Sequence, residues 1–250
     1  MRIVSLVPSW TEYMYDLDVQ VVGQTKFCVR PNPTFRNLGK VGGTKKINID
    51  SVLALRPDLV LANREENDRG QVEALLAQCP STCQVVVTDV RTVQSAWDTM
   101  LQLGEWVERA SLAQEWVAKI QARWGDPRAA LGSAGYAVWS SPWMVAGADT
   151  YIHDVMQHWG IKNAFLDLQG SRYPTLANDP DSGVSQCQSW LLPSEPFPFQ
   201  KKHVTQMRAT NPEARFQLVD GEAFSWYGSR MYHVTHHLKN VAHWVSQSQP

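Results

Sequence analysis

Cysteine is scarce in this 250-residue chain: Cys28, Cys79, Cys83 and Cys187 are its only four. That is too few for a disulfide-built scaffold, and Cys79-x3-Cys83 around Pro80 offers at most one small loop bridge, with two free thiols as the alternative. Charge of one sign is missing too: 23 Lys and Arg oppose 24 Asp and Glu, for a formal net charge of −1. No basic excess exists to neutralise phosphates, which argues against a nucleic-acid partner. No run approaches the ~20 apolar residues of a membrane helix. The start lacks a secretory pattern, because Arg2-Ile3-Val4-Ser5-Leu6-Val7-Pro8-Ser9 already reads as a strand and Thr11-Glu12 follows. With Met1 as the native start the expected location is the cytoplasm; with an export signal removed, the periplasm. Neither G-x-G-x-x-G, nor G-x4-G-K-[ST], nor G-x-S-x-G occurs, so dinucleotide, P-loop and hydrolase-elbow readings lose their signatures.

What is present is an apolar, ordered chain, 44% hydrophobic, with enough side chains for a large core. Strands and helices alternate. Ile3–Val7 leads to a helix that Ser9 and Glu12 mark by capping-box spacing. Val19–Gly23, Leu59–Ala62 and Val85–Thr88 read as further strands, with helices over Ser51–Leu55 (capped by Asp50) and Glu66–Gln78 between them. From Thr92 to Trp124 the residues Val93, Trp97, Met100, Leu103, Val107, Ala110, Ala113, Val117, Ile120 and Trp124 form one stripe at spacings of three and four. A single helix of that length spans ~50 Å, with Gly104 as a soft point, and suits a rod joining two lobes. Alternation then resumes, with strands at Tyr136–Trp139, Trp190–Leu192 and Phe216–Val219, and helices at Tyr151–Trp159, Gln200–Ala209 and Tyr232–Val245. The expected fold is α/β: two Rossmann-like lobes with mainly parallel sheets joined by a long backbone helix, divided as 1–91, 92–125 and 126–250. One continuous sheet with a long surface helix is the alternative.

Ligands of open α/β sheets bind beyond the carboxyl ends of the strands, and the unusual residues cluster there. Trp139, Trp143, Trp226 and Tyr227 are loop aromatics suited to a flat, largely apolar ligand, or else core residues. Glu65, Glu66, Glu195, Asp220 and Glu222 gather acids, opposed by Lys26, Lys45 and Arg230. They suit ligand contact, lobe-to-lobe pairing or acid–base chemistry. Gly42-Gly43-Thr44-Lys45 reads as a tight turn rather than a phosphate loop. His233, His236, His237 and His243 lie on the last helix; the i, i+4 pair His233 and His237 lacks a third ligand and reads as a solvated face. Cys28 lacks an assigned histidine base.

The ordered series Ile3-Val4-Ser5-Leu6-Val7-Pro8-Ser9-x-Thr11-Glu12, Val22-Gly23, Val41-Gly42-Gly43-Thr44 and Leu55-x-Pro57-Asp58-Leu59-Val60-Leu61-Ala62, extended by Gly147-Ala148-Asp149-Thr150 and Arg172-Tyr173-Pro174, resembles the helical-backbone substrate-binding proteins of ABC importers for cobalamin, haem and iron–siderophores. The cobalamin-binding branch is the most similar. The resemblance implies two lobes, a rigid connecting helix and a shallow inter-lobe cleft. It places Phe27 and Tyr173 at aromatic contact sites, Thr44 and Asn63 at cleft sites that are often tryptophan, and Asp50 at a position that docks on the transporter.

The function expected is non-catalytic binding of a metal chelate or tetrapyrrole-like ligand (cobalamin-like, haem or ferric siderophore), with an ABC transporter permease as partner and no intrinsic cofactor. Phe27, Thr44, Asn63, Glu66, Trp139, Trp143, Tyr173, Glu195, Glu222, Trp226, Tyr227 and Arg230 are the ligand-site candidates; no catalytic residue is assigned. The alternative is a cytoplasmic enzyme using Glu66 or Glu195 as acid–base and Cys28 as nucleophile. A third reading is a partner protein without a small ligand.

Overall fold

A computed structural model describes residues 1–32, 38–166, 168, 171–176 and 187–247. They divide into two compact units, each with its own sheet. The first comprises residues 1–90, 94–122 and 227–232, the second 91–93, 123–226 and 233–250.

In the first unit the chain runs β1 (Ile3–Ser5), α1 (Pro8–Asp16), β2 (Val21–Gln24), α2 (Ile49–Ala54), β3 (Leu59–Asn63), α3 (Arg69–Gln78) and β4 (Gln84–Thr88). The four strands pair in the order β2-β1-β3-β4, every pair parallel. Parallel strands need crossover helices and are covered on both faces. Hence β3 is a wholly buried run, Leu59-Val60-Leu61-Ala62-Asn63, packed with Val4, Leu6, Val52, Val72 and Leu75. Asn48, not Asp50, caps α2 by accepting from the Ser51 N–H, and Asp68 caps α3 by accepting from the Gln71 N–H. The Ser9…Glu12 capping box does not form: α1 starts at Pro8 with Val7 as its uncapped N-terminal flank, and Glu12 pairs elsewhere.

The stripe from residue 92 to 124 is two helices, not one rod: α4 (Val93–Trp106) and α5 (Ala110–Trp124). Glu108 turns the chain at φ +58°, and the Arg109 N–H reaches back to the Gly104 carbonyl at 2.7 Å. A Cβ on Gly104 would stand 2.3 Å from the Ala113 Cβ. Gly104 therefore lets α5 fold closely onto the end of α4 rather than softening a continuous helix.

The second unit holds β5 (Gly132–Ser140), β6 (Trp143–Val145), α6 (Tyr151–His158), β7 (Ile161–Asn163), β8 (Ser189–Pro193), α7 (Lys201–Thr210), β9 (Arg215–Val219), α8 (Glu222–Ser225), α9 (Arg230–His233) and α10 (Thr235–Ser246). The residues of α9 up to Tyr232 belong to the first unit. Strand order is β6-β5-β8-β9, with β7 on β5; only β5–β6 is antiparallel. Ala137, Phe165, Trp190, Leu192, Phe199 and Met207 form its core. The short strands β6 and β7 have no counterpart in the sequence pattern, because three residues carry no readable periodicity.

Candidate functional site

The carboxyl edge of the first sheet is built around Asn63. It is 2% exposed, and its side chain makes four hydrogen bonds: Nδ2 donates to the Thr88 carbonyl and Oγ1, and Oδ1 accepts from the Glu65 and Glu66 N–H groups. Such a group organises the turn after β3 and has no face to offer a ligand, which corrects its assignment as a cleft contact. Asn67 continues the network, its Nδ2 donating to the carbonyls of Leu6 and Thr44. Thr44 is itself buried and its carbonyl is held by Asn67, so it is a fixed part of the wall rather than an exposed contact.

Phe27 behaves differently. It follows β2 and leaves 50% of its surface exposed, with the Lys26 ammonium 5.1 Å from its ring centroid. It lines an open groove of about 910 Å³ together with Gly43, Thr44, Lys45, Asp50 and Gln71. Gly42, at φ +103°, closes the turn in which the Gly43 N–H donates to the Lys46 carbonyl at 2.8 Å. Asp50 is exposed in the first turn of α2. Lys45 Nζ donates to the Glu65 carbonyl at 2.6 Å. Glu66 is half-buried; burial pushes its carboxyl above the ordinary range, opposed by Lys45 and reinforced by Glu65.

Arg230 and Tyr227 are not surface contacts. Arg230, 9% exposed, forms a two-pronged ion pair with Glu12, Nε standing 2.9 Å from Oε2 and Nη2 meeting Oε1. Burial still lifts the Glu12 carboxyl above its ordinary value against the opposing pull of Arg230. Beside it the Ser229 hydroxyl meets Asp16, and Tyr227 packs on Trp10 at 4.4 Å. The segment 227–232 is thus a structural insert in the first unit. Sequence spacing gives no sign of it, since Glu12 and Arg230 lie 218 residues apart.

In the second unit the aromatic candidates split. Trp139 is 42% exposed and meets Phe197 edge-on at 5.1 Å, while Trp143 stacks on Phe199 at 5.7 Å and 14°. His203 closes the group against both phenylalanines and accepts the Gln200 N–H on Nδ1. Trp226 is buried. Tyr173 is half-buried in a loop bridged to β6 through Thr175 and Met144.

The acids of this unit adjoin one another. Pro193 pairs with Val219 in register, so Glu195 and Asp220 leave neighbouring strands. Glu195 Oε1 accepts from the Ser225 hydroxyl at 2.7 Å, and Asp220 Oδ1 accepts from the Glu222 N–H at 3.1 Å. A Cβ on Gly221 would lie 2.6–2.7 Å from Glu195 atoms, so only glycine admits this approach. Tyr136 of β5 is fully buried in the same unit, and its hydroxyl has no hydrogen-bond partner among the described residues; in the sequence it is a lone hydroxyl in the otherwise apolar Gly135-Tyr136-Ala137-Val138.

Cys28 is buried between the hydroxyls of Thr11 and Thr25, at 3.1 and 3.2 Å. Burial pushes its thiol pKa up, the reverse of what a nucleophile needs. Cys79 and Cys83 are free thiols. On α10, His237 Nε2 accepts the Asp220 N–H at 3.1 Å, so it is a structural acceptor rather than part of a solvated face. Among the described residues no group of three His, Cys, Asp or Glu could hold a metal ion, and no helix is long and apolar enough to cross a membrane.

Comparison with known proteins adds a common theme. The vitamin B12-binding protein of Salmonella typhimurium strain LT2 is 27% identical over 191 residues, 72% of this chain and 70% of that protein. Among solved structures, the periplasmic vitamin B12 binding protein of Vibrio cholerae aligns at TM-score 0.76 and 16% identity, over 99% of this chain and 98% of that one. The haem complex of IsdE from S. aureus aligns at 0.74 and 14%, over 98% of each chain. At these identities the structural likeness is one of fold. The sequence profile of the family described as "Periplasmic binding protein" covers residues 3–178, and this chain belongs to that family.

Proposed function

We propose that this protein binds a metal chelate or tetrapyrrole-like compound, of the class that includes the vitamin B12 and haem named for its relatives, and presents it to an ABC transporter permease. The observation that carries the reading is Phe27: a large aromatic ring half in solvent, at the carboxyl edge of a parallel sheet, on a groove of about 910 Å³. A ring in this position beside a groove is suited to stack on a flat apolar ligand face. Trp139 is exposed in the same manner in the second unit, where Phe197 steadies it. Glu195 and Glu222 supply polar contacts, and Trp143 and Tyr173 support the aromatic surface. Asp50, exposed at the start of α2, is the acidic group offered to a basic permease surface. The periplasm is the place where family members of this kind work, and the reading assigns this chain there.

Absorbance titration with cyanocobalamin, haemin and a ferric siderophore tests the proposal. At least one should bind with a dissociation constant well below 1 mM, and Phe27→Ala should weaken it about tenfold, the loss of one aromatic contact. Failure of all three to bind would overturn it.

A further inference from the structure

Strand β4 ends the first sheet on one side. The Gln84 N–H donates to the Asp58 carbonyl at 2.9 Å, and the Thr88 carbonyl accepts from the Arg64 N–H at 2.8 Å. In a parallel ladder that phase turns Gln84, Val86 and Thr88 toward β3 and points the N–H and C=O of Val85 and Val87 outward. No described residue bonds those outward groups, and Val87 leaves 45% of its surface exposed. An open edge of this kind is a template for another strand, and proteins blunt it with charge, proline, a bulge, brevity or a cover. The other outer strands carry such devices. Beside β2, the Val41 N–H donates to the Gln24 carbonyl at 2.9 Å and the Gln24 N–H to the Gly39 carbonyl at 3.2 Å. Beside β6, the Pro174 carbonyl accepts the Val145 N–H at 3.1 Å and the Leu176 N–H donates to the Trp143 carbonyl at 2.8 Å. Strand β7 is three residues long with Lys162 at its centre, and β9 begins with Arg215, while the Arg208 guanidinium lies over its Phe216. Strand β4 has none of these: Gln84-Val85-Val86-Val87-Thr88 is uncharged, lacks proline and pairs with β3 without a register shift.

What fits such an edge is an extended segment, and the spacing selects one. The two outward residues stand symmetrically about Val86. A twofold axis through Val86 therefore sets Val85 opposite Val87 of a second copy, and Val87 opposite that copy's Val85. In an antiparallel ladder each such pair exchanges both N–H···O bonds, so the strand satisfies every outward group of its own copy with none left over. The same register lays the exposed Val87 side chain beside Val85 of the other copy, a β-branched cross-strand pair. Charge agrees with self-pairing. The nearest charged residue along the chain after the strand, Asp89, is paired with Arg64 at 3.2 Å and falls opposite the uncharged Cys83 of the copy, so no like charges meet. We infer that the outer edge of β4 is an interface between two copies of this chain, paired antiparallel about Val86 into one continuous sheet. The inference stands independently of the ligand-binding reading. One strand per copy buries less than the roughly 1,200 Å² of a stable complex, so the dimer is weak and forms at high concentration.

Sedimentation equilibrium of the whole chain, from about 5 μM to about 1 mM, tests for the dimer. It should show monomer and dimer in exchange, with a dissociation constant on the order of 100 μM. Amide exchange followed by NMR reads the pairing itself. The Val85 and Val87 amides should exchange about fivefold more slowly at the highest concentration than at the lowest, while Val86, already bonded to β3, should not change. Val87→Lys places an ammonium on the edge and should weaken the dimer at least about tenfold. Leu218→Lys, on β9, should leave it unchanged. Circular dichroism confirms that each variant is folded, and the amide readout needs no variant. A chain that stays monomeric at about 1 mM overturns the inference, as does a dimer in which Val85 and Val87 gain no protection or which Val87→Lys does not weaken. Species larger than the dimer would overturn it too, because a twofold pair closes on itself.

Discussion

The two sheets end in opposite ways. At the carboxyl edge of the first, polar side chains are used up internally: Asn63 makes four hydrogen bonds, Asn67 ties two loops together, and Trp10 donates to Thr88. What it exposes is a hydrocarbon ring, Phe27. At the same edge of the second, the carboxylates of Glu195 and Asp220 lie half-buried, and the buried Tyr136 hydroxyl of that unit has no hydrogen-bond partner among the described residues. One edge is finished as built and offers area; the other is incomplete and offers polarity. Equivalent topological positions thus carry different chemistry, so residue type at a strand end is a weaker guide than whether that residue's bonds are already made.

The largest expected effect comes from the finished side. Arg230→Ala would strand the Glu12 carboxylate in the interior, which costs about 3–5 kcal/mol when one partner of a buried pair is removed. Urea unfolding should show that loss, and the double change Glu12→Met/Arg230→Met should recover most of it. A single-variant loss under about 1 kcal/mol would mean that the pair is hydrated and the first unit less closed than described.

Next is Asn63→Ala, which leaves the Glu65 and Glu66 N–H groups without their acceptor, while the Thr88 carbonyl keeps the Arg64 N–H. About 1–3 kcal/mol should disappear, with ligand affinity changing only as far as the turn at Glu65–Glu66 loosens. Phe27→Ala makes the opposite split: stability within about 0.5 kcal/mol of wild type and affinity down about tenfold. If Asn63→Ala costs affinity alone and Phe27→Ala costs stability alone, the contrast between bonded and exposed residues is reversed.

The sheets are legible because parallel strands are short apolar runs: Leu59–Ala62 is wholly buried, and Val85–Thr88 shows the same β-branched run although it is an edge strand with Val87 exposed. The break between α4 and α5 was not, because the apolar stripe passes through Val107 and Ala110 without a missed step. Periodicity records which face is apolar, not whether the axis bends, and the residue that turns the chain is a glutamate rather than glycine or proline. Of the site, Phe27 and Trp139 could be found as aromatics beside strand ends. Arg230, Tyr227 and Asn63 could not be told from ligand contacts, since their partners lie elsewhere in the sequence or on the backbone. Tyr136 stayed hidden for the converse reason: a missing hydrogen bond leaves no mark on a sequence.

A smaller effect separates the edges by pH. Because the Glu66 carboxyl titrates above its ordinary value of 4.5 in the folded chain, the folded state holds its proton where the unfolded state has released it. Its contribution to stability is therefore complete at low pH and is lost as pH rises through the raised value. Glu66→Gln should be more stable than wild type at pH 7, with the difference closing on acidification toward pH 4.5. A gap that is constant with pH would place Glu66 in water rather than against the β3 turn.

The smallest expected effect is the most informative about the second edge. Tyr136→Phe removes one oxygen that has no hydrogen-bond partner among the described residues and leaves the ring on Phe224 in place. Deleting a polar atom that has paid desolvation without a partner should stabilise the ligand-free protein, by up to about 1 kcal/mol, seen as a higher urea midpoint at unchanged slope. A finished edge would give the reverse, since there the hydroxyl would be bonded and its loss destabilising. A lower midpoint for Tyr136→Phe would show that the hydroxyl is satisfied in solution by water, and the two edges would then differ in charge but not in completeness.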